Sequence, residues 1–225
     1  MAKSFSTNSI PTVRDHLPSW LPNTEVLIRR CQSLAMLDAI ISPEWESRYY
    51  SFNSKWDTEE MMASMHNGQG DDYFILFNTA GAIIKGFDHE SPMSPFANEP
   101  QQIWSGILDE VPSVFDGFLK EPAFSLEHTT FCLWHLKDEP SWKIGSISYP
   151  DDSDPDGSSY LLSGLDGKPR TYKKFAEEYY EQEITLASID HIYQHRTLTD
   201  EIIYALNPEN SLENLKSDIE EIGYQ

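Results

Sequence analysis

The run DYFILFN (residues 72–78) is followed by Thr79, Ala80 and Gly81, and then by AIIKGF (residues 82–87). Aromatic and branched side chains dominate both arms, and the short connection ends in glycine, which is the signature of a β-hairpin. A second pair of arms covers Thr129 to Leu136 and Trp142 to Tyr149, with Lys137, Asp138, Glu139 and Pro140 as its polar turn. Hairpins place sequence neighbours antiparallel. No βαβ alternation links the arms, so the sheet they imply is antiparallel and its helices lie against it. The expectation is an α+β fold: one antiparallel sheet built from two hairpins and covered by helices.

Helical signals surround the hairpins. Asn23 or Thr24 is placed to cap a helix that carries Leu27, Cys31, Leu34, Ala35 and Ile41 at helical spacing and stops before Pro43. A short helix is expected from Asp57 to Met65, with Asp57 as its cap. Another is expected from Gln101 to Lys120, kinked or divided at Pro112. Tyr172 to Glu183, Thr199 to Leu206, and Leu212 to Ile222 read as a helical tail, closed by Gly223. Pro11, Pro18 and Pro22 make residues 1–22 an irregular N-terminal arm, and residues 23–225 read as a single domain.

Composition narrows the class. A hydrophobic fraction of 39% suffices for a core in a chain of 225 residues. The mean hydropathy of -0.49 and the lack of an apolar run near ~20 residues argue against a membrane span. The N-terminus shows no secretory apolar stretch, and Cys31 and Cys132 sit inside apolar segments as reduced thiols do. The expected compartment is the cytoplasm. The net charge of -21 opposes binding to nucleic acid or to anionic membrane; it serves solubility through mutual repulsion first, and a basic protein partner is the sharper alternative. It is unevenly spread, with 17 acidic against 6 basic residues from Asp151 onward, but 8 against 6 over the first sixty residues.

No segment spells out a catalytic motif, and no cofactor is expected. The loop Asp152, Asp154, Asp156, Gly157 opens like a calcium loop, but Ser163 stands where the bidentate acid belongs, so an acidic turn explains it without a metal. His191 and His195 have the spacing of a zinc helix but lack its glutamate, because Ile192 occupies that position. Asp88, His89, Glu90 and Ser91 gather an acid, a base and a hydroxyl at a strand end, where functional loops often lie. Trp45, Arg48, Tyr49, Tyr50 and Trp56 form an aromatic group that serves either as core packing or, where exposed, as a recognition surface. Candidate binding residues are therefore Trp45, Arg48, Tyr49, Trp56, Asp88, His89 and Glu90.

The segments ISPEWESRYYSFNSKW, NGQGDDYFILFNTAGAIIKGFDHESPMSP, DPDGSSYLLSGLDG and HRTLTDEIIYALNPE resemble an uncharacterised family of cytosolic bacterial proteins. That resemblance covers about Ile41 to Pro208 and implies a fold more than an activity. In general character the chain is also similar to immunity proteins of bacterial toxin systems, which are acidic single-domain α+β proteins. The leading expectation is a non-enzymatic protein-binding domain, an immunity-type inhibitor of a basic partner. The alternative is a small-molecule-binding protein or an enzyme with a dispersed site around Trp45 to Trp56 and Asp88 to Glu90.

Overall fold

A computed structural model describes residues 21–224, so the arm expected over residues 1–22 lies, up to residue 20, outside the described residues. Six strands run in the order β1 (Tyr50–Asp57), β2 (Glu60–His66), β3 (Asp72–Asn78), β4 (Gly81–Phe87), β5 (Phe131–Leu136) and β6 (Lys143–Ile144). Each pairs antiparallel with its sequence neighbour, giving one sheet in meander order. The α+β expectation holds. Among the described residues no helix is long and apolar enough to cross a membrane.

Helices cover one face. The long helix α1 (Thr24–Ile41) begins where Asn23 Oδ1 accepts the Val26 N–H at 3.0 Å and ends before Pro43. It packs on β1 and against three helices of the C-terminal part: α4 (Leu186–Tyr193), α5 (Asp200–Leu206) and α6 (Lys216–Ile222). The short α2 (Ser158–Leu161) and α3 (Pro169–Tyr179) complete this side. Thr199 caps α5, and Gly223 closes α6 at φ 67°, a left-handed conformation that glycine adopts without strain.

The hairpin of β1 and β2 overturns the helix expected from Asp57 to Met65. Asp57 closes a strand, Glu59 turns at φ 58°, and Met62 opposes Asn53 across the pair. The period-2 pattern was hidden because both faces of β2 are covered: Ala63 and Met65 join the helical side, while Met62 packs on the other.

The helix expected from Gln101 to Lys120 is also absent. Residues 88–130 form an irregular layer over the second face, with single 3-10 turns at Pro95–Ala97, Ser113–Phe115, Phe118–Lys120 and Pro122–Phe124. Ile107, Phe115, Phe118 and Phe124 are buried there against Phe74, Leu76, Ile83 and Trp134 of the sheet. Gly106 sits at φ 93°, and a Cβ there would stand 2.1 Å from the Ser146 carbonyl oxygen, so the chain bends where a helix would run straight. The second predicted strand pair survives in part: β5 matches, but β6 keeps only Lys143 and Ile144 of the arm expected to reach Tyr149.

Asp38 of α1 ties the helical side to the sheet. It is 0% exposed. Its Oδ2 accepts the N–H groups of Tyr49 (3.0 Å) and Tyr50 (2.7 Å), and its Oδ1 accepts the Tyr172 hydroxyl at 2.6 Å. Burial pushes its pKa up to about 6, against the opposing pull of those donors. This carboxylate fixes where β1 begins, and with it the position of Tyr49. Cys31 and Cys132 are buried free thiols, their pKa values raised by burial.

Candidate functional site

Three loops meet at one end of the sheet. The first is the turn from β2 to β3. Asn67 organises it: its Oδ1 accepts the N–H groups of Gln69 (2.8 Å) and Asp71 (3.1 Å), and its Nδ2 donates to Asp71 Oδ2 at 2.5 Å. The second follows β4, where Asp88 Oδ1 accepts the Glu90 N–H at 3.0 Å. The third precedes α2, where Asp154 accepts the N–H groups of Ser159 (3.1 Å) and Tyr160 (3.3 Å). Thr130 clamps the second and third together. Its Oγ1 accepts the Asp88 N–H (3.2 Å) and donates to the Asp156 carbonyl (2.7 Å).

The loops enclose a cleft of 460 Å³ lined by Asn67, Asp71, Asp88, His89, Asp154 and Tyr160, among others. Asp71 Oδ1 accepts both the backbone N–H of His89 (2.9 Å) and its ring Nδ1–H (2.6 Å). That bond holds the His89 pKa above its ordinary value. Burial pushes Asp71 upward, but hydrogen bonds from His89 and Asn67 prevail and leave its carboxyl below the usual range. Burial raises both Asp88 and Asp154, each also facing a neighbouring carboxylate. Donor atoms of Asp71, Asp88 and His89 lie within 4.8 Å of one another, close enough to share one divalent ion. Ser91 is no nucleophile here: its hydroxyl donates to the Pro155 carbonyl at 2.8 Å.

A second cleft of 360 Å³ is lined by Trp45, Glu46, Arg48, Tyr49, Ser64 and His66. It adjoins the first. His66 and Asn67 are consecutive, and Tyr49 in the second cleft is electrostatically coupled to Tyr160 and Asp71 of the first. Arg48 is engaged from within, donating to the carbonyls of Ser42 (2.9 Å) and Pro43 (3.0 Å) and to Asp218 at 2.5 Å. Trp45 by contrast is 60% exposed, and Tyr160 is 61% exposed.

The structure thus brings Trp45, Arg48 and Tyr49 beside Asp88, His89 and Glu90, but not Trp56. That ring stacks on Phe124 at 5.7 Å, against the irregular layer. The pairing register slips between Asn53 and Asp57, which turns Trp56 to the face opposite Tyr50 and Phe52. Sequence reasoning missed Asp71 and Tyr160 as site residues. Asp71 follows the Asn67-to-Gly70 break directly, and that position was its one visible signal.

The remaining motifs resolve into local structure. The acidic loop's carboxylates accept backbone N–H groups of the turn itself. His195 lies beyond α4 at φ 51°, and the rings of His191 and His195 donate to different carbonyls, those of Thr197 and Arg29. A depression of 690 Å³ along α3 is an open trough whose central pair, Lys173 with Glu177, is already closed.

The fold and the cleft define an acidic α+β protein with one compound surface at a sheet end. Compared with protein-family models, curated proteins and solved structures, the chain finds no match among any of them.

Proposed function

We propose that the protein is a non-enzymatic binding domain whose partner is a basic protein, in the manner of an immunity-type inhibitor. One observation carries this reading. Within a chain of net charge -21, acidic residues from three separate loops, Asp71, Asp88, Glu90 and Asp154, line a single cleft. Such a concentration of like charge is unfavourable in isolation and is relieved by a cation, which makes it a steering and docking feature for a positive surface.

The test is capture on the immobilised full chain from a lysate of the native host, followed by reconstitution from purified components. The expected result is a basic protein whose complex re-forms and weakens as salt rises from about 0.05 M to about 0.5 M. If no basic protein binds even at the low-salt end, the reading fails.

A second reading, a small-molecule site, is favoured by the size of the cleft and by the His89–Asp71 pair within it. The engagement of the Ser91 hydroxyl with Pro155 counts against nucleophilic chemistry there.

A further inference from the structure

The acidic cleft does not stand alone. Around the buried Tyr49 lie exposed rings on either side of it in sequence. Tyr160 accounts for one wall of the cleft, and Tyr179, 40% exposed, packs 5.1 Å from Tyr49 centroid to centroid. Trp45 covers the neighbouring cleft. Large aromatic rings left this open to water, on two adjoining clefts rimmed by charge, mark interaction surfaces more often than chance exposure does.

We propose that this compound surface is where the partner docks, and that the partner presents an arginine next to an apolar side chain. The inference rests on the basic-partner reading above and specifies its chemistry. The guanidinium enters the cleft between Asp88 and Asp154 and lies on the Tyr160 ring, while the apolar neighbour covers Trp45. Charge decides the occupant. A second copy of this chain brings another -21 and is repelled. Between the two basic side chains, the planar guanidinium pairs with carboxylates in a bidentate manner and stacks on aromatic faces, whereas an ammonium remains a strongly hydrated point charge. Arg48 cannot fill the cleft from within, because Ser42, Pro43 and Asp218 hold it.

The probe is a blocked pentapeptide, acetyl-Gly-Leu-Arg-Leu-Gly-amide, titrated into the isotope-labelled full chain with EDTA present, so that no divalent ion competes. Versions with citrulline and with lysine in place of arginine run alongside. The arginine peptide is expected to shift the Trp45 indole signal and the amide signals of Asp71, His89 and Tyr160 saturably. Citrulline, neutral and nearly the same shape, is expected to weaken binding roughly tenfold or more. Trp45→Ala and Asp88→Asn should each weaken it about three- to tenfold while the far-ultraviolet circular dichroism stays unchanged. Equal binding of the citrulline peptide, shifts confined to the trough along α3, or no saturable shift overturns the docking surface. Equal binding of the lysine peptide overturns the choice of arginine. The basic-partner reading fails separately: a purified basic partner that binds the wild type and both variants equally keeps that reading and refutes this surface.

Discussion

Replacing Asp38 by asparagine isolates the energetic consequence of burying one carboxylate. The carboxylate is fully enclosed, and its pKa stands at about 6 against an ordinary 3.8. A raised pKa means that the folded state holds the proton more tightly than the unfolded chain. Stability linked to Asp38 is therefore greatest at low pH and falls as pH rises through the interval between the two values. The difference of about two units corresponds to about 3 kcal/mol, with most of it lost between about pH 4 and about pH 7. The substituted side chain has no charge to bury. Its carbonyl oxygen can keep accepting the Tyr49 and Tyr50 N–H groups, while its amide faces the Tyr172 hydroxyl, which loses its acceptor at a penalty of about 1 kcal/mol. The assay is urea unfolding of both proteins across that pH range. Taking the difference between them cancels every other titrating group, including Asp156, whose pKa burial also pushes up to about 6. Asp38→Asn is expected to gain about 2–3 kcal/mol on the wild type from the acid to the neutral end. A flat difference would show that burial does not dominate at Asp38. The opposite slope would show that its hydrogen-bond donors do.

Two further substitutions probe the frame of the site. Gly157→Ala forces an L side chain to φ 74° and sets its Cβ 2.2 Å from Asp88 Oδ2, so a loss of about 2 kcal/mol in thermal or urea melts should accompany a shifted His89 ring signal. A variant as stable as the parent with an unmoved His89 would contradict the close packing of that loop on Asp88. Phe124→Ala removes a buried ring that meets Trp56, Phe74 and Phe118 at centroid distances of 5.7, 5.0 and 4.7 Å, and should cost about 3–5 kcal/mol in the same melts. A loss below about 1 kcal/mol would mean that the irregular layer contributes little to holding the sheet.

Elements with local punctuation were readable from sequence. Asn23 and Pro43 bound α1, Thr199 and Gly223 mark α5 and α6, and the Thr79-to-Gly81 turn fixes the hairpin of β3 and β4. What failed did so where tertiary packing overrides local pattern. Ile103, Ile107, Val111 and Phe115 recur every fourth residue and imitate a helix, yet they belong to a coil pinned by Gly106 and interrupted at Pro112. The site was legible as residue types in two segments, Trp45 to Tyr49 and Asp88 to Glu90. Its completion by Asp71, Asp154 and Tyr160 needs three loops to converge, and no spacing within one segment encodes that. Trp56 was misplaced for a related reason, since a slip in strand pairing leaves no mark on residue parity.

The irregular layer leaves the sheet after Phe87 and returns at Phe131, yet β4 and β5 are direct partners, with Gly86 opposite Phe131. The whole excursion is therefore a closed appendix: its two ends are neighbours, and the ladder beneath it is continuous without it. Between the site residues at its start and Thr130 at its end, its length can change without moving any strand by a residue. Its hold on the rest of the chain is made by side chains and loops: Trp104 Nε1–H donates to the Ser148 carbonyl at 2.9 Å, the Ser91 hydroxyl to the Pro155 carbonyl at 2.8 Å, and its buried rings cover Phe74, Leu76 and Trp134. The face clad in helices is instead assembled from α1 before the strands and α2 to α6 after them, cross-tied through Asp38. The sheet thus carries one cover joined from distant segments and one inserted as a single loop.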